Sequence, residues 1–587
     1  MLSRSKQICT CAILLFALAM ARAAGNVNDD GSRPRVLGPA AVDNLFVAAK
    51  IWGYLKYHHS RVAGGCLDWD QELLDQLPDI LKAPDRRQGR QVVASWVGDI
   101  ENLKACAGTS RGDVQMGPPT DWLGDRNLLG GDLARSLQSI DHSSGAWQQH
   151  YIALRGGIDD PEFDDEPDYA EIDDIDWRYR LLALFRFWNI IEYWYPYRDV
   201  IGEDWDDMLR EFIPRLYSAE DNQAYVLQMA QLVAEVHDGH ANLQEAIYTR
   251  PPAGRMLPPF DIRLVEGKPY IWRRFGIKES VAASPDADDE LQLGDVILKV
   301  DGRAVDEIFR EALPYIGASN EMSARRQIAQ FLLHGASDHV SVEVERDGQI
   351  VTVSNRRLPR NALDVGAEVW HDHTGPAFRK LSDEVAYLKI SNIEAGEIGS
   401  YISAATGTQG LVIDARSYPS DFVVFALTQH LVKTRTPFVR FTHGDLTNPG
   451  AFVWTEPLNI QPSAPTYDGR IIVLVDDGTM SSAEYHAMAF RAVPNAVVVG
   501  SQTGGMDGDV SSIPLPGGLH TAISGIGVFY PDKTPTQRVG IVPDLVIYPT
   551  IAGLREGRDE VLEAALRQIL GDDRPESEIR DMASYRR

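Results

Sequence analysis

The spacing of apolar residues changes twice along the chain. Up to about residue 250 they recur at helical spacing, whereas "LQLGDVILKVDGRAV" within 257–358 alternates apolar and polar positions between turn glycines. From about residue 365, apolar runs such as "IIVLVDD" alternate with helical segments such as "SSAEYHAMAFRAV". This alternation is typical of a sheet covered by helices. The sequence therefore predicts a helical N-terminal part, a small β domain over 257–358, an α/β core over 365–570 and a tail over 571–587.

The helical part contains a repeat. Six residues of a first copy recur at one fixed offset in a second copy, where the pairs are Trp52 and Trp188, Tyr57 and Tyr193, Trp69 and Trp205, Asp70 and Asp206, Leu73 and Leu209, and Pro78 and Pro214. Both copies carry apolar residues at helical spacing. We interpret 36–158 and 177–250 as two related helical units.

The segment between the two copies is strongly acidic. Residues 159–176 contain eleven acidic residues in eighteen. A charge run of this kind predicts a solvated linker. A calcium site is the alternative, but the EF-hand spacing with its glycine is missing from the segment.

Composition and the N-terminus restrict the class of protein. The chain has 587 residues, 44% of them hydrophobic, which predicts three to four domains, and its net charge of −27 argues against nucleic-acid binding. Residues 1–23 combine a basic start, a short apolar run and the small-x-small site "ARA", which is typical of a secretory signal peptide. We therefore expect an exported protein, periplasmic or secreted, with no integral membrane segment after the signal is removed.

Two cysteines remain after residue 23, Cys66 and Cys106. In an oxidising compartment a disulfide between them is the favoured prediction. Two buried thiols are the alternative.

A candidate nucleophile lies in "IIVLVDDGTMSSAEYHAM", which predicts a buried strand, a turn and a helix. Ser481 or Ser482 would stand at the helix N-terminus, where backbone N–H groups can stabilise an oxyanion. The alternative is an ordinary N-cap, because Ser481 and Glu484 fit a capping box. The Gly-x-Ser-x-Gly match "GTSRG" at 108–112 has neither the strand before it nor the helix after it that such an elbow needs.

A serine nucleophile needs a base, and the histidines do not identify one by spacing alone. "HDGH" at 237–240 and "HDH" at 371–373 could also suggest a metal, but neither has helical ligand spacing with a third partner. We therefore predict no metal and no cofactor. A histidine at a glycine-containing turn, such as His240, is a candidate base.

Taken together, the motifs resemble the S41 serine peptidases, which include the C-terminal processing (tail-specific) proteases and the tricorn core. The resemblance spans roughly 180–550, and its motifs are "VAEVHDGHANL", "LQLGDVILKVDG", "GLVIDARSYPSD", "VDDGTMSSAE", "VVVGSQTGG" and "FYPDKTPTQRVGIVPD". It implies a crotonase/ClpP-like α/β core with a helical N-terminal part. It also implies that 257–358 is an embedded PDZ-like domain.

The resemblance implies roles at the serine turn. The family nucleophile lies three residues before a glutamate, which maps to Ser481 before Glu484. The N–H of Ser482 would be one oxyanion donor. The second would lie near Ser420, where the family usually has two glycines and this chain has Ser420 and Asp421.

The resemblance also implies the base. Met506 stands where the processing proteases have a lysine, and a methionine cannot take a proton. The tricorn-like branch uses a histidine of a "DGH" motif, which maps to His240. Gln537 stands where that branch has a glutamate; it can orient His240 by a hydrogen bond but cannot stabilise an imidazolium by charge.

Two functions follow from the resemblance. The first is a serine endopeptidase that hydrolyses exported proteins or peptides through an acyl-enzyme. The alternative is a non-catalytic peptide- or ligand-binding protein on the same fold, suggested by the replaced lysine, glycines and glutamate. The sequence does not predict the oligomeric state.

Overall fold

A computed structural model of the protein describes residues 36–100, 112–138, 149–278, 290–365 and 375–584. The predicted signal peptide, Cys106, most of "GTSRG" and the histidines of 371–373 lie outside these ranges. Cys66 is exposed, and its disulfide with Cys106 stays a prediction. Within the described ranges, no helix has the length and apolar character that crossing a membrane requires.

The N-terminal part is mainly helical. Its elements are α1 (Pro39–His58), α2 (Ser60–Ala63), α3 (Trp69–Lys82), α4 (Arg86–Gly98), β1 (Val114–Met116), α5 (Arg126–Leu129), α6 (Gly131–Gln138), β2 (Ala153–Arg155), β3 (Asp160–Glu162), α7 (Trp177–Trp194), α8 (Trp205–Tyr217) and α9 (Asn222–Ala234). An aspartate side chain accepts a first-turn N–H at the start of α3, α4, α7, α8 and α9. Such caps satisfy orphan N–H groups and fix where these helices begin.

The two copies of the repeat share an unusual contact. In the first copy, the Trp52 indole donates to the Trp69 carbonyl at 3.0 Å and the Trp69 indole donates back to the Trp52 carbonyl at 2.9 Å. Trp188 and Trp205 make the same reciprocal pair at 2.6 and 3.0 Å. Equivalent residues therefore join α1 to α3 and α7 to α8.

The copies also pair with each other through reciprocal contacts. Lys50 of the first copy pairs with Asp206 of the second at 2.5 Å, and Arg186 of the second pairs with Asp70 of the first. Lys50 and Arg186 are separated by the offset of the repeat, as are Asp70 and Asp206. Such reciprocal contacts are the pattern of an isologous interface, here within one chain.

The acidic segment 159–176 is not a solvated linker, which corrects that prediction. Asp160 and Phe163 are fully buried, and Glu166 is 3% exposed. Glu166 pairs with Lys56 at 2.7 Å and with Arg186 at 3.0 Å, and both of these cationic side chains are completely buried. A buried cation needs a counter-charge, so the helical units hold part of the acidic segment inside.

Asp160 provides a test of this burial. Burial raises the pKa of its carboxyl to about 6. A carboxyl whose folded pKa is raised stabilises the fold while protonated, and that contribution is lost as pH rises through about 6. Asp160→Asn is therefore expected to raise the free energy of unfolding at pH 8 by on the order of 1–2 kcal/mol, which would be measured as a higher thermal-unfolding midpoint. At pH 4 the substitution is expected to change the midpoint little.

The matched control for this experiment is Asp164→Asn, because Asp164 is an exposed acid of the same segment. It is expected to have the same small effect at both pH values. A lower midpoint for Asp160→Asn at pH 8 would show that the Asp160 carboxylate stabilises the fold in its ionised form.

The segment predicted as a β domain contains an antiparallel sheet and two α-helices. Its elements are β4 (Met256–Leu257), β5 (Phe260–Val265), β6 (Lys268–Arg274), β7 (Gly276–Ile277), β8 (Val296–Val300), β9 (Arg303–Ala304), α10 (Val305–Ala312), α11 (Glu321–Phe331), β10 (His339–Arg346), β11 (Gln349–Arg356), β12 (Leu358–Pro359) and β13 (Leu363–Asp364). The antiparallel order β11-β10-β8-β6-β5 forms its sheet, with β9 paired to β8. The sheet and both helices enclose their own apolar core.

The remainder forms an α/β core with an added antiparallel sheet. Its elements are β14 (Phe378–Lys380), β15 (Val385–Lys389), α12 (Ile398–Ala405), β16 (Gly410–Asp414), α13 (Val424–Thr428), β17 (Thr436–Gly444), β18 (Phe452–Trp454), β19 (Leu458–Ile460), β20 (Arg470–Val475), α14 (Ser482–Arg491), β21 (Val497–Gly500), β22 (Val510–Leu515), β23 (Leu519–Ser524), β24 (Gly527–Phe529), β25 (Leu545–Val546), α15 (Ile551–Arg555), α16 (Glu560–Leu570) and α17 (Glu576–Ala583).

The central sheet has the order β14-β15-β16-β20-β21-β25, and all neighbours pair in parallel except the edge strand β14. Alternate strand residues face two separate apolar cores. One core contains α12, α13 and α14, and the other contains α16 and α17. The carboxyl end of a parallel strand is where open α/β sheets place their sites, and the serine turn follows β20 there.

The C-terminal prediction needs a correction. The predicted tail contains the helix α17, whose Ile579 and Ala583 are fully buried against the face that α16 covers. The last helix of the core is therefore α17, because its short apolar stripe completes the layer that α16 begins.

Candidate active site

Ser481 lies in a strained turn between β20 and α14. It is the residue before the helix, and its backbone has φ +51° and ψ −120°. An ordinary N-cap has a negative φ in the extended region, and a serine with positive φ is uncommon and costs energy. Although Glu484 is placed as in a capping box, the strain distinguishes Ser481 from a simple cap and favours a functional role.

Glu484 holds the turn in this conformation. Its carboxylate is completely buried and accepts from the N–H groups of Ser481 (3.2 Å), Gly505 (2.8 Å) and Met506 (3.0 Å), and from the Thr503 hydroxyl. Burial raises the pKa of Glu484, and these hydrogen bonds oppose that rise. The glutamate of the predicted motif therefore ties the serine turn to the loop at 503–506.

The two predicted oxyanion donors differ. The Ser482 N–H has no hydrogen-bond partner in the described ranges. The Ser420 N–H donates to the Ile390 carbonyl at 2.9 Å, and its hydroxyl donates to the Ile393 carbonyl at 2.7 Å. Ser420 is thus not available as a donor in this structure, which corrects that prediction. The physical reason is that its backbone and hydroxyl both bind the 390–393 loop.

His240 lies in the turn after α9 and is held by a relay of side chains. Its Nδ1 is 2.9 Å from the Ser524 hydroxyl, which donates to the Asp238 carboxylate at 3.0 Å. Asp238 is completely buried and also accepts from the N–H groups of His240 (3.0 Å) and Ser524 (2.6 Å). Since the only Ser524 hydroxyl proton goes to Asp238, its oxygen accepts from Nδ1–H. His240 therefore keeps its Nε2 lone pair for accepting a proton.

Met506 contacts both the serine turn and the histidine turn. The Ser481 N–H donates to the Met506 carbonyl at 3.1 Å. At the histidine turn, a Cβ added at Gly239 would lie 2.1 Å from the Met506 sulfur, so a larger residue at 239 would require the Met506 side chain to move. The turns that carry the two predicted residues thus contact the same residue, although no hydrogen bond joins Ser481 to His240 within the described part of the chain.

Gln537 does not have its predicted contact. It is 1% exposed, and its Nε2 donates to the Tyr195 hydroxyl at 3.3 Å. Its Oε1 is buried without a hydrogen-bond partner in the described part of the chain. His240 is held by Ser524 and Asp238 instead, so the prediction that Gln537 orients His240 is wrong for this structure. The reason is that β23 brings Ser524 to Nδ1, the nitrogen that an orienting group must reach.

The sequence motifs predict no role for Ser524 and suggest Asp238 only as a metal ligand. Asp238 stands in "HDGH" and could have been recognised from the motif. Ser524 is 284 residues from His240, and its own segment carries no signal. Within the described residues, no group of three or more His, Cys, Asp or Glu side chains could hold a metal ion.

The β domain contacts both loops of this site. The Ser319 hydroxyl accepts from the Gly239 N–H at 2.9 Å. The Asn320 side chain donates to the Thr503 carbonyl at 2.9 Å and to the Gly504 carbonyl at 3.1 Å. The segment before α11 therefore joins the His240 turn to the loop that holds Ser481.

Comparisons with known proteins identify the core. Residues 384–547, which carry the serine turn and Met506, match the sequence profile of peptidase family S41. The chain carries a peptidase domain of family S41. This domain makes it a serine-type peptidase by family. A comparison with curated proteins gives no match.

Several solved structures resemble this chain. Mature CPAF in complex with lactacystin is 13% identical, with a TM-score of 0.51, over 65% of this chain and 95% of that one. A second structure of mature CPAF is 13% identical, with a TM-score of 0.51, over 68% and 99%. The photosystem II D1 C-terminal processing protease is 17% identical over 67% and 98%, with a TM-score of 0.39. At such identities the likeness to CPAF shows a shared fold and nothing more.

Proposed function

We propose that the protein hydrolyses peptide bonds of exported proteins or peptides, with Ser481 as nucleophile and His240 as general base. The observation that carries this proposal is the relay from Asp238 through Ser524 to His240. It leaves Nε2 free and supplies a buried negative charge near the imidazole. A protein that only binds ligands has no need for a histidine prepared in this way.

The proposed reaction has two steps. The Ser481 hydroxyl attacks the substrate carbonyl carbon and passes its proton to His240 Nε2, while the Ser482 N–H stabilises the oxyanion. His240 then returns the proton to the leaving amine, the C–N bond breaks and an acyl-enzyme remains. Water attacks the ester after giving a proton to His240, and the acid product leaves as Ser481 regains its proton.

Asp238 supplies the negative charge beside the imidazole that the neutral Gln537 cannot supply. The imidazolium that forms in the first step is positive, and the Asp238 Oδ1 lies 3.8 Å from its Nδ1. A carboxylate this close in a buried site stabilises the cation. We therefore assign this chain to the tricorn-like branch of the family in its use of histidine, with Ser524 and Asp238 as positioning residues.

This assignment predicts unequal effects for two polar residues. Ser524→Ala is expected to lower kcat by roughly 10–1000-fold with little change in KM, because the loss affects the transition state. Gln537→Ala is expected to cost less than tenfold. Steady-state kinetics on a fluorogenic peptide measures both.

The matched control is Ser512→Ala, since Ser512 is exposed on β22 of the same hairpin. It is expected to leave kcat at the wild-type value. Ser524→Thr, which keeps the hydroxyl, is expected to recover part of the loss in kcat. If Ser524→Ala and Gln537→Ala lowered kcat equally, the hydrogen bonds through Ser524 to Asp238 would not be what orients His240 as a base.

The export of the protein and the role of its β domain are also part of the proposal. We infer export from the N-terminal sequence, and a PDZ-like role for the β domain from the resemblance and from its contacts with both loops. Non-catalytic binding on the S41 fold is the competing function.

A fluorophosphonate probe separates the two functions. The wild-type protein is expected to be labelled, and peptide mapping is expected to place the label on Ser481. A ligand-binding protein would not be labelled and would not cleave an unfolded protein such as casein. Absence of both labelling and cleavage would overturn the proposed function.

A further inference from the structure

Aromatic side chains join α14, the helix that follows Ser481, to the turn after β16. Tyr485 lies one turn after Ser481 on α14, and helical side chains lean towards the N-terminus, so its ring lies towards the serine turn. Phe422 stacks on Tyr485 with ring centroids 5.9 Å apart. Phe441 also stacks on Tyr485, at 6.1 Å. The turn that follows β16 thus meets the start of α14 through its aromatic rings.

This turn exposes large apolar surface. Phe422 is 55% exposed, Tyr418 is 54% exposed and Phe425 is 42% exposed. Single exposed apolar residues are common on protein surfaces, but a group of them marks a binding surface. Phe422 contacts both Phe425 and Tyr485, and we call these three residues the aromatic shelf.

The shelf is held in place. The Val423 N–H donates to His486 Nε2 at 3.1 Å, and His486 Nδ1 donates to the Ser482 carbonyl at 2.6 Å. The Asp421 carboxylate accepts from the N–H groups of Ala395 and Phe422, at 2.9 and 2.8 Å. The backbone around Phe422 is therefore held in place by Asp421 and His486. His486 in turn binds Ser482, the residue that follows Ser481.

Its position indicates what the shelf binds. It is continuous with the serine turn, through Tyr485 and through the hydrogen bonds of His486 to Ser482 and Val423. Its side chains carry no formal charge, and the nearby Asp421 carboxylate is already paired with backbone N–H groups. An aromatic side chain contributes a large apolar area at low entropic cost. A rigid, uncharged aromatic surface at this place suits an apolar side chain of the chain being cleaved.

We infer that the aromatic shelf binds a large apolar or aromatic side chain of the polypeptide substrate next to the scissile bond, with Phe422 as the main specificity-determining residue. This inference rests on the proposed function, because it takes Ser481 as the nucleophile. It adds the substrate class: polypeptides with Phe, Tyr, Leu or Met flanking the cleaved bond.

Cleavage-site profiling tests the inference. The full-length protein is incubated with a peptide library, and the cleaved bonds are mapped by mass spectrometry. The wild type is expected to cleave beside large apolar residues. Phe422→Ser is expected to lower kcat/KM for such peptides by roughly 10–100-fold, mainly through KM. Phe422→Leu, which keeps an apolar side chain, is expected to retain most of the preference.

Two controls make each outcome decisive. Leu458→Ser removes an exposed apolar residue on β19 and is expected to keep the wild-type profile. Thermal unfolding checks that Phe422→Ser is folded. A labelled wild type without any apolar preference, or a Phe422→Ser profile equal to the wild type, would overturn the inference. A change in oligomeric state with an unchanged profile would also overturn it, since the shelf would then be a subunit contact.

Failure of the inference differs from failure of the proposed function. If the wild type is neither labelled by the fluorophosphonate nor able to cleave the library, the proposed function fails. If it is labelled at Ser481 and cleaves without regard to apolar residues, only the shelf assignment fails.

Discussion

Ser481→Ala is expected to abolish both peptide hydrolysis and fluorophosphonate labelling. The serine hydroxyl is the only atom that the proposed mechanism uses to form the acyl-enzyme, so its loss removes the covalent step. The strained backbone, with φ +51°, is also tied through the Ser481 N–H to Glu484 and Met506, and the turn is expected to persist in the variant. The loss in kcat is expected to reach several orders of magnitude, as for other serine nucleophiles.

Ser482→Ala is the matched control, because Ser482 is the next residue and contributes only its backbone N–H. It is expected to keep most of the labelling and most of the hydrolysis. The measurement is the labelling rate together with kcat/KM on a fluorogenic peptide. Full activity in Ser481→Ala, or loss of activity in Ser482→Ala alone, would move the nucleophile away from Ser481.

The parts of the fold that depend on local pattern could be predicted from the sequence. The serine turn is a buried strand, a short loop and a helix, and all three are close in sequence, so periodicity and capping residues indicate them. The repeat was also visible, because Trp52 and Trp69 recur with their spacing in Trp188 and Trp205. The β domain was visible from alternation and turn glycines.

Contacts between distant segments could not be predicted. Ser524 reaches His240 only because the β22–β23 hairpin packs beside the turn after α9, and neither segment predicts that on its own. Ser420 was expected to offer its N–H to the substrate, but the 390–393 loop takes it. The acidic segment was expected to be solvated because composition alone does not show that Lys56 and Arg186 are buried and need Glu166.

By the resemblance to the processing proteases, Met506 stands where they have a lysine. Its contacts account for part of the arrangement of the site. Met506 packs against Gly239, and a larger residue at 239 would require the Met506 side chain to move. In the proposed mechanism the buried carboxylate of Asp238, which accepts from the Ser524 hydroxyl, supplies the negative charge that Gln537 lacks. The departures at Met506 and Gln537 therefore agree with a histidine-based site, although each taken alone suggests a lost activity.

His240→Ala is expected to lower kcat by several orders of magnitude, close to the effect of Ser481→Ala, because nucleophile and base act as one unit. Its Nε2 is the proposed acceptor of the serine proton, and Met506 offers no replacement. In the wild type, kcat/KM is expected to fall at acidic pH, because a protonated imidazole cannot accept a proton. Added imidazole is expected to restore part of the activity of His240→Ala and none of that of Ser481→Ala.

His520→Ala is the control for His240→Ala, since His520 lies on β23 of the hairpin that carries Ser524 and is 40% exposed. It is expected to retain wild-type turnover and the wild-type pH profile. Steady-state kinetics between pH 5 and pH 9, with active-site titration of each variant, measures these effects. If His240→Ala kept near wild-type turnover, the serine proton would go to another group, and the relay through Ser524 and Asp238 would have a structural role only.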